Sequence, residues 1–115
     1  MKPSFRYKCR VLKVLDGDSA DTEISLGFNV YTKQRLRFLG VDCPETRTKD
    51  LEEKKAGLKA KKWVKSMIEG KEVIIESEKA GKFGRFLARV YIGDMCINDE
   101  LIKRGLASEY WGGAR

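Results

Sequence analysis

At 115 residues, 42% hydrophobic and 36% charged, the chain has material for one modest core and not for two. Its 24 Lys and Arg outnumber 17 Asp and Glu for a net charge of +7, a balance that suits a polyanionic partner. No histidine occurs, which excludes His-ligated zinc, Ser–His and Cys–His nucleophilic pairs, and any imidazole base.

Cys9, Cys43 and Cys96 are scattered without a C-x-x-C, so neither a zinc knuckle nor a dithiol motif is available. Their odd number reads as reduced thiols and points to a cytoplasmic setting. Residues 1–10 are basic without an apolar h-region, and no stretch is long enough to span a membrane.

Residues 7–15 (YKCRVLKVL) predict a strand with one face in solvent, stopped by the tight-turn signal Asp16-Gly17-Asp18. Residues 20–26 predict a second strand ending at Gly27, and the polar stretch 29–34 reads as a hairpin tip. Residues 36–41 (LRFLGV) read as a central strand, apolar on both faces except at Arg37. Beyond Pro44 the period changes: Ala56, Ala60, Trp63, Val64, Met67 and Ile68 fall on one helical stripe. Asp50 with Glu53 predicts a capping box, and Gly70 the stop. Lys54, Lys55, Lys59, Lys61, Lys62 and Lys65 fall mostly on the solvent side.

Residues 72–77 and 86–92 predict a strand pair around a turn at 81–84. Asn98 predicts the N-cap of a short helix, with Asp99 and Glu100 in its first turn and Ile97 stapled to Ile102. That helix ends at Gly105, and residues 106–111 suggest a last short strand. Three strands, a helix, two strands and a short helix form the layout of a β-barrel with helices, an α+β class. The expectation is a five-stranded OB-fold in a single domain over 1–115, with its core about 7–111 and the long helix plugging one end.

Two acidic clusters carry the chemistry: Asp16-Gly17-Asp18, and Asp42 with Glu45 directly after the most apolar strand. Carboxylates in turns are commonly turn formers, but several converging at a strand mouth repel unless a cation sits among them. All-oxygen ligation suits Ca²⁺ or Mg²⁺ and disfavours zinc. Arg37 reads either as a salt-bridge partner of Asp42 or Glu45 or as a planar fork for phosphate oxygens. Arg85 stands beside the glycine-rich 81–84 turn in a similar position.

Four segments together resemble staphylococcal nuclease: VLDGDS (14–19), LRFLGVDCPET (36–46), GKFGRFLARVY (81–91) and NDELIKRGLA (98–107). They occur in the family's order over nearly the whole chain. The resemblance implies that Asp18 and Asp42 bind one calcium ion, with Mg²⁺ the lesser alternative, and that Cys43 lends its backbone carbonyl. It implies that Glu45 orders the attacking water and that Arg37 and Arg85 clamp the scissile phosphate. Asp16 then belongs to the outer shell of the metal. Lys82 and Phe83 match a Lys-Tyr pair that contacts the nucleotide, and Tyr110 and Trp111 are further candidates for contact with bases.

The expected substrates are DNA and RNA, preferably single-stranded, cut by a monomer with little base selectivity. Two departures from the prototype stand out. The connection from Asp18 to Arg37 is longer, which marks its hairpin tip for altered substrate contact, and no counterpart of the C-terminal helix follows Tyr110. The prototype is secreted, which sets the family against the cytoplasmic reading of the cysteines. The competing expectations are a catalytically inactive OB-fold that binds nucleic acid, and a protein-interaction barrel.

Overall fold

In the computed structural model the described residues are 5–80 and 86–110. Strands β1 (Phe5–Asp16), β2 (Ser19–Ser25) and β3 (Tyr31–Phe38) form a meander, followed by the two-residue β4 (Val41–Asp42). Helix α1 (Leu51–Ile68) leads to the antiparallel pair β5 (Glu72–Ala80) and β6 (Phe86–Ile92). The short β7 (Met95–Cys96), helix α2 (Ile97–Lys103) and β8 (Ser108–Glu109) complete the order. The sheet runs β3-β2-β1-β5-β6-β7, and parallel pairing of β3 with β6 closes it. The result is a closed five-stranded mixed β-barrel with two helices, the OB-like fold expected.

β1 serves both halves of the barrel, with Cys9 opposite Ile24 on one side and Val73 on the other. Its pairing with β2 shifts register between Val11 and Lys13 and again between Val14 and Asp16. Each bulge bends the strand and resets the phase of its side chains. Cys9, Val11 and Val14 are therefore all buried although strict alternation would turn Val14 outward. The buried residues from all five barrel strands meet Ala60, Val64 and Ile68 of α1, and Ile97 and Leu101 of α2.

Five local expectations are corrected. The stretch 29–34 is not a tip, because Tyr31–Phe38 pairs in register with β2 through Tyr31 opposite Ser25. Its polar residues are those of a strand with one wet face, and the tip is residues 26–30, closed by Val30 N–H donating to Gly27 O at 3.0 Å. The strand expected over 36–41 breaks after Phe38, and Gly40, at φ +79, turns the chain into β4. Phe38 and Val41 both face the core three positions apart, so the apparent two-sided apolarity comes from a turn within the run.

The apolar stripe of α1 passes through buried Gly57, Ala60, Val64 and Ile68, while Ala56 is exposed. Asp50 caps the helix by accepting from the N–H groups of Glu52 and Glu53 at 3.0 and 3.3 Å. Its own N–H donates to Thr48 Oγ1, so the cap is built with Thr48 rather than as a reciprocal box with Glu53. Gly70, at φ +75, ends the helix as expected. Asn98 does not cap α2, whose N-cap is Cys96. It is 2% exposed and is used as an internal connector instead.

The expected turn at 81–84 and the end of the strand expected over 106–111 lie outside the described residues; β8 accounts for Ser108 and Glu109. Among the described residues no helix is long and apolar enough to cross a membrane.

Candidate active site

Strand alternation determines where Arg37 points. Leu36 and Phe38 are buried in the core, so Arg37 between them projects from the outer face of β3. The residue opposite it on β2 is Ser19, which puts the guanidinium beside the turn that carries Asp18. Arg37 Nη1 lies 3.3 Å from Asp18 Oδ2, and its Nη2 lies 3.5 Å from Asp42 Oδ1. One planar fork thus spans carboxylates that are 24 positions apart in sequence. The salt-bridge reading holds for Asp42, with Asp18 as a second partner, and the side chain keeps 23% of its surface exposed.

Asp18 is 7% exposed. Besides the guanidinium, its Oδ2 accepts from the backbone N–H of Cys43 at 3.0 Å, which ties the first acidic turn to the 42–45 segment. A second tie runs beside it, as Thr46 Oγ1 donates to Asp16 Oδ1 at 2.8 Å. Asp16 therefore stands next to the cluster and holds its loop. Burial, and then the negative charge of Asp18, push the Cys43 thiol up to about 12. A thiol held protonated is a poor metal ligand, so the chemistry at this position falls to the backbone.

Two glycines and an alanine let these loops approach each other. A Cβ on Gly57 would lie 2.6 Å from the Glu45 carbonyl oxygen and 2.7 Å from that of Pro44. A Cβ on Gly17 would lie 2.8 Å from Cys43 Sγ and 2.9 Å from Ala60 Cβ. Helix α1 thus seats both acidic loops through its two smallest buried residues. An isolated glycine within a helical pattern signals such an approach, but its partner becomes visible only in the fold.

Glu45 is exposed and lines an open cleft of about 500 Å³ with Asp42, Pro44, Glu53, Ala56 and Leu106. The far wall is set by β8, which pairs with β4 as Asp42 opposite Ser108. Tyr110 N–H donates to Gly40 O at 3.0 Å, which brings Tyr110 beside the turn that precedes Asp42. Behind it, Asn98 Oδ1 accepts from Val90 N–H at 2.9 Å, and Asn98 Nδ2 donates to Leu39 O and Ala88 O at 2.8 and 3.1 Å. One buried amide therefore fixes α2, β6 and the turn that delivers Asp42. From the sequence alone it reads as a helix cap.

The structure brings together Asp16, Asp18, Arg37, Asp42 and Cys43, with Glu45 on the adjoining cleft. The other candidates Arg85, Lys82, Phe83 and Trp111 lie outside the described residues. Among the described residues, no three Asp, Glu or Cys side chains converge as a ready metal cage. The donors present are nonetheless of the right kind for a hard divalent cation: carboxylate and carbonyl oxygens, with the carboxylates of Asp18 and Asp42 on a single guanidinium.

Residues 35–113 match the family model of the staphylococcal nuclease homologues. A thermonuclease of Staphylococcus hyicus is 33% identical over 100 residues, covering 85% of this chain and 56% of that protein. An uncharacterized protein of Methanocaldococcus jannaschii is 33% identical over 130 residues, covering 90% and 59% respectively. An uncharacterized endonuclease of Escherichia coli O157:H7 is 29% identical over 102 residues, covering 88% of the chain and 60% of that protein. The chain thus spans somewhat over half the length of these relatives.

Proposed function

The chain belongs to the family of staphylococcal nuclease homologues, and from that premise we propose that it hydrolyses phosphodiester bonds of DNA and RNA with the help of one bound divalent cation, preferentially Ca²⁺. The observation that carries the proposal is the Arg37 fork, which spans Asp18 and Asp42, the latter also lining the cleft of Glu45. Relatives bearing the names thermonuclease and endonuclease make nuclease chemistry the natural use of that geometry.

Asp18, Asp42 and the Cys43 carbonyl would hold the ion. When bound, it supplies Lewis-acid polarisation of a phosphoryl oxygen and positions the nucleophilic water. Attack on a phosphodiester builds negative charge on the equatorial oxygens, and the Arg37 guanidinium opposes that charge directly. Arg85 acts as the second arginine of the clamp. Glu45, exposed on the cleft, orders the water and accepts its proton. The Asp16–Thr46 hydrogen bond holds the loop on which Glu45 stands, so Asp16 positions without touching substrate.

The test is a divalent-metal series with single- and double-stranded DNA and RNA. Cleavage is expected with Ca²⁺, strongest on single strands, and it is expected to vanish in chelator. Cleavage that persists unchanged in chelator refutes the metal-assisted mechanism. Salt-dependent binding without turnover in any metal identifies an inactive binding module instead. Arg37→Ala is expected to lower the rate by well over tenfold with the circular-dichroism spectrum preserved, since one lost transition-state donor costs about 10²-fold or more.

A further inference from the structure

Four of the eight large apolar side chains exposed among the described residues fall on the six-residue stretch 26–31. Phe28 is 100% exposed, with Leu26 at 46%, Val30 at 51% and Tyr31 at 59%. Phe28 and its neighbour Asn29 both adopt left-handed backbone, at φ +56 and +62. That conformation is easy for Asn and Gly but costly for an aromatic residue. Leu26 N–H donates to Val30 O at 2.8 Å and Val30 N–H to Gly27 O at 3.0 Å, so the turn is closed and its side chains are displayed outward. Apolar side chains gathered at one loop tip, with the most exposed one on strained backbone, indicate use rather than packing.

The chemistry of the intended partner is given by what the tip adjoins. On the outer face of β3, alternation places Tyr31, Lys33, Arg35 and Arg37 in one row. The row runs from the tip to the guanidinium at the site, about 20 Å at the rise of an extended strand. Beside it, pairing sets Lys33 against Glu23 and Arg10, and Arg35 against Asp21 and Lys13. This face therefore carries four cations around two carboxylates, with Arg37 a fifth at the end of the row. The Arg35–Asp21 pair, at 3.0 Å, is solvent-exposed and open to competition from phosphate. An apolar protein partner would have no need of that charge, whereas a single nucleic-acid strand needs both cations for its backbone and flat rings for its bases.

We propose that the β2–β3 hairpin tip is a remote subsite for the substrate strand, in which Phe28 and Tyr31 stack on bases about 20 Å from the phosphate held at Arg37. The subsite rests on the nuclease reading for the role of Arg37, but binding at the tip requires no cleavage. It gives the chain a preference for long single strands, which the cleft alone does not provide.

Anisotropy titrations in chelator with labelled single strands of about 4 and about 16 nucleotides test it, bracketing the span of such barrels. For Phe28→Ala with Tyr31→Ala, affinity for the long strand is expected to fall about tenfold or more, with the short strand unchanged. Phe28→Trp is expected to retain long-strand affinity. Equal binding of the long strand by the double variant and the unsubstituted protein overturns the subsite, as does an equal loss on both lengths. Sedimentation velocity covers the alternative occupant: a dimer that the double variant dissolves, with long-strand affinity unchanged, makes the tip a self-association surface and refutes the proposal. Cleavage is measured separately on the long strand. Tip-dependent binding without cleavage retires the nuclease reading and keeps the subsite, whereas cleavage without tip dependence does the reverse.

Discussion

Gly57→Ala tests whether α1 holds the loop of Glu45 by direct contact. The added methyl would begin 2.6 Å from the Glu45 carbonyl oxygen, 2.7 Å from that of Pro44 and 2.8 Å from the Glu45 carbonyl carbon. All three are backbone atoms, so no side chain can swing away. Relief requires the 44–45 segment to retreat by the better part of an ångström or the helix to shift on the barrel. Overpacking of this kind costs about 1–3 kcal/mol, while replacing a helical glycine by alanine returns about 1 kcal/mol. The net expectation is a loss of about 0–2 kcal/mol, or a melting temperature lower by a few degrees.

The effect on rate should be larger than the effect on stability. Glu45 is carried by the displaced backbone, and a misplacement of about 1 Å costs about 10²-fold in a positioned reaction. Thermal denaturation by circular dichroism and initial rates on denatured DNA give the two quantities on the same preparation. A rise of several degrees with an unchanged rate would refute the contact, because it would mean that the helix gained its propensity without meeting the loop. Gly70→Ala is the control: nothing lies within 4 Å of its Cβ, but φ is +75, so stability should fall by about 1 kcal/mol with the rate intact.

Asn98→Ala removes the acceptor of Val90 N–H and the donors to Leu39 O and Ala88 O. Ala88 O keeps the Leu39 N–H, so the expected loss is about 2–4 kcal/mol, read as a lower urea midpoint at constant slope. A loss within about 0.5 kcal/mol, the range of an ordinary surface change, would show that the amide is not a connector. Phe28→Gly relieves left-handed backbone and is expected to raise stability by about 1 kcal/mol; destabilisation would contradict the strain. Burial pushes the Cys9 and Cys43 thiols up from 9.0 to about 11 and about 12. Their contribution is therefore complete below the unfolded value and is lost as pH rises from there towards the folded ones. Urea stability should decline steeply above pH 9.0, and less steeply in Cys43→Ala; identical slopes would argue against a buried thiol.

The barrel was legible because its strands carry their own period. Alternation in β2 and the apolar residues of β5 and β6 need no tertiary information to be read. The failures share one cause, a local signal whose meaning depends on a distant partner. Phe38 and Val41 look like one strand until Gly40 turns the chain between them. Asn98 has the chemistry of a cap, but the groups waiting for its amide lie on β6 and at Leu39. Within the candidate site, Asp18 and Asp42 stand out in the sequence as carboxylates at strand ends and Arg37 as a charge in an apolar run, and the resemblance groups them. The Thr46 hydroxyl on Asp16 and the seat of Gly57 were not, because each pairs elements far apart in sequence.

Charge organisation links these features. The chain carries +7, yet Asp16, Asp18, Asp42 and Glu45 stand on two loops tied to each other at the proposed site. On the proposed reading a polyanion is drawn to the outer face of β1–β3 and held off at the acidic loops, where among the described residues Arg37 is the cation paired with Asp18 and Asp42. A bound divalent ion would cancel most of that negative charge. Two separable dependences follow: monovalent salt should weaken the approach of a long strand through screening and counterion competition at the exposed face, whereas a chelator should act on turnover and leave that approach in place. Loss of long-strand binding on chelation alone would mean that the ion organises the basic face as well, and the division between gathering and cutting would have to be abandoned.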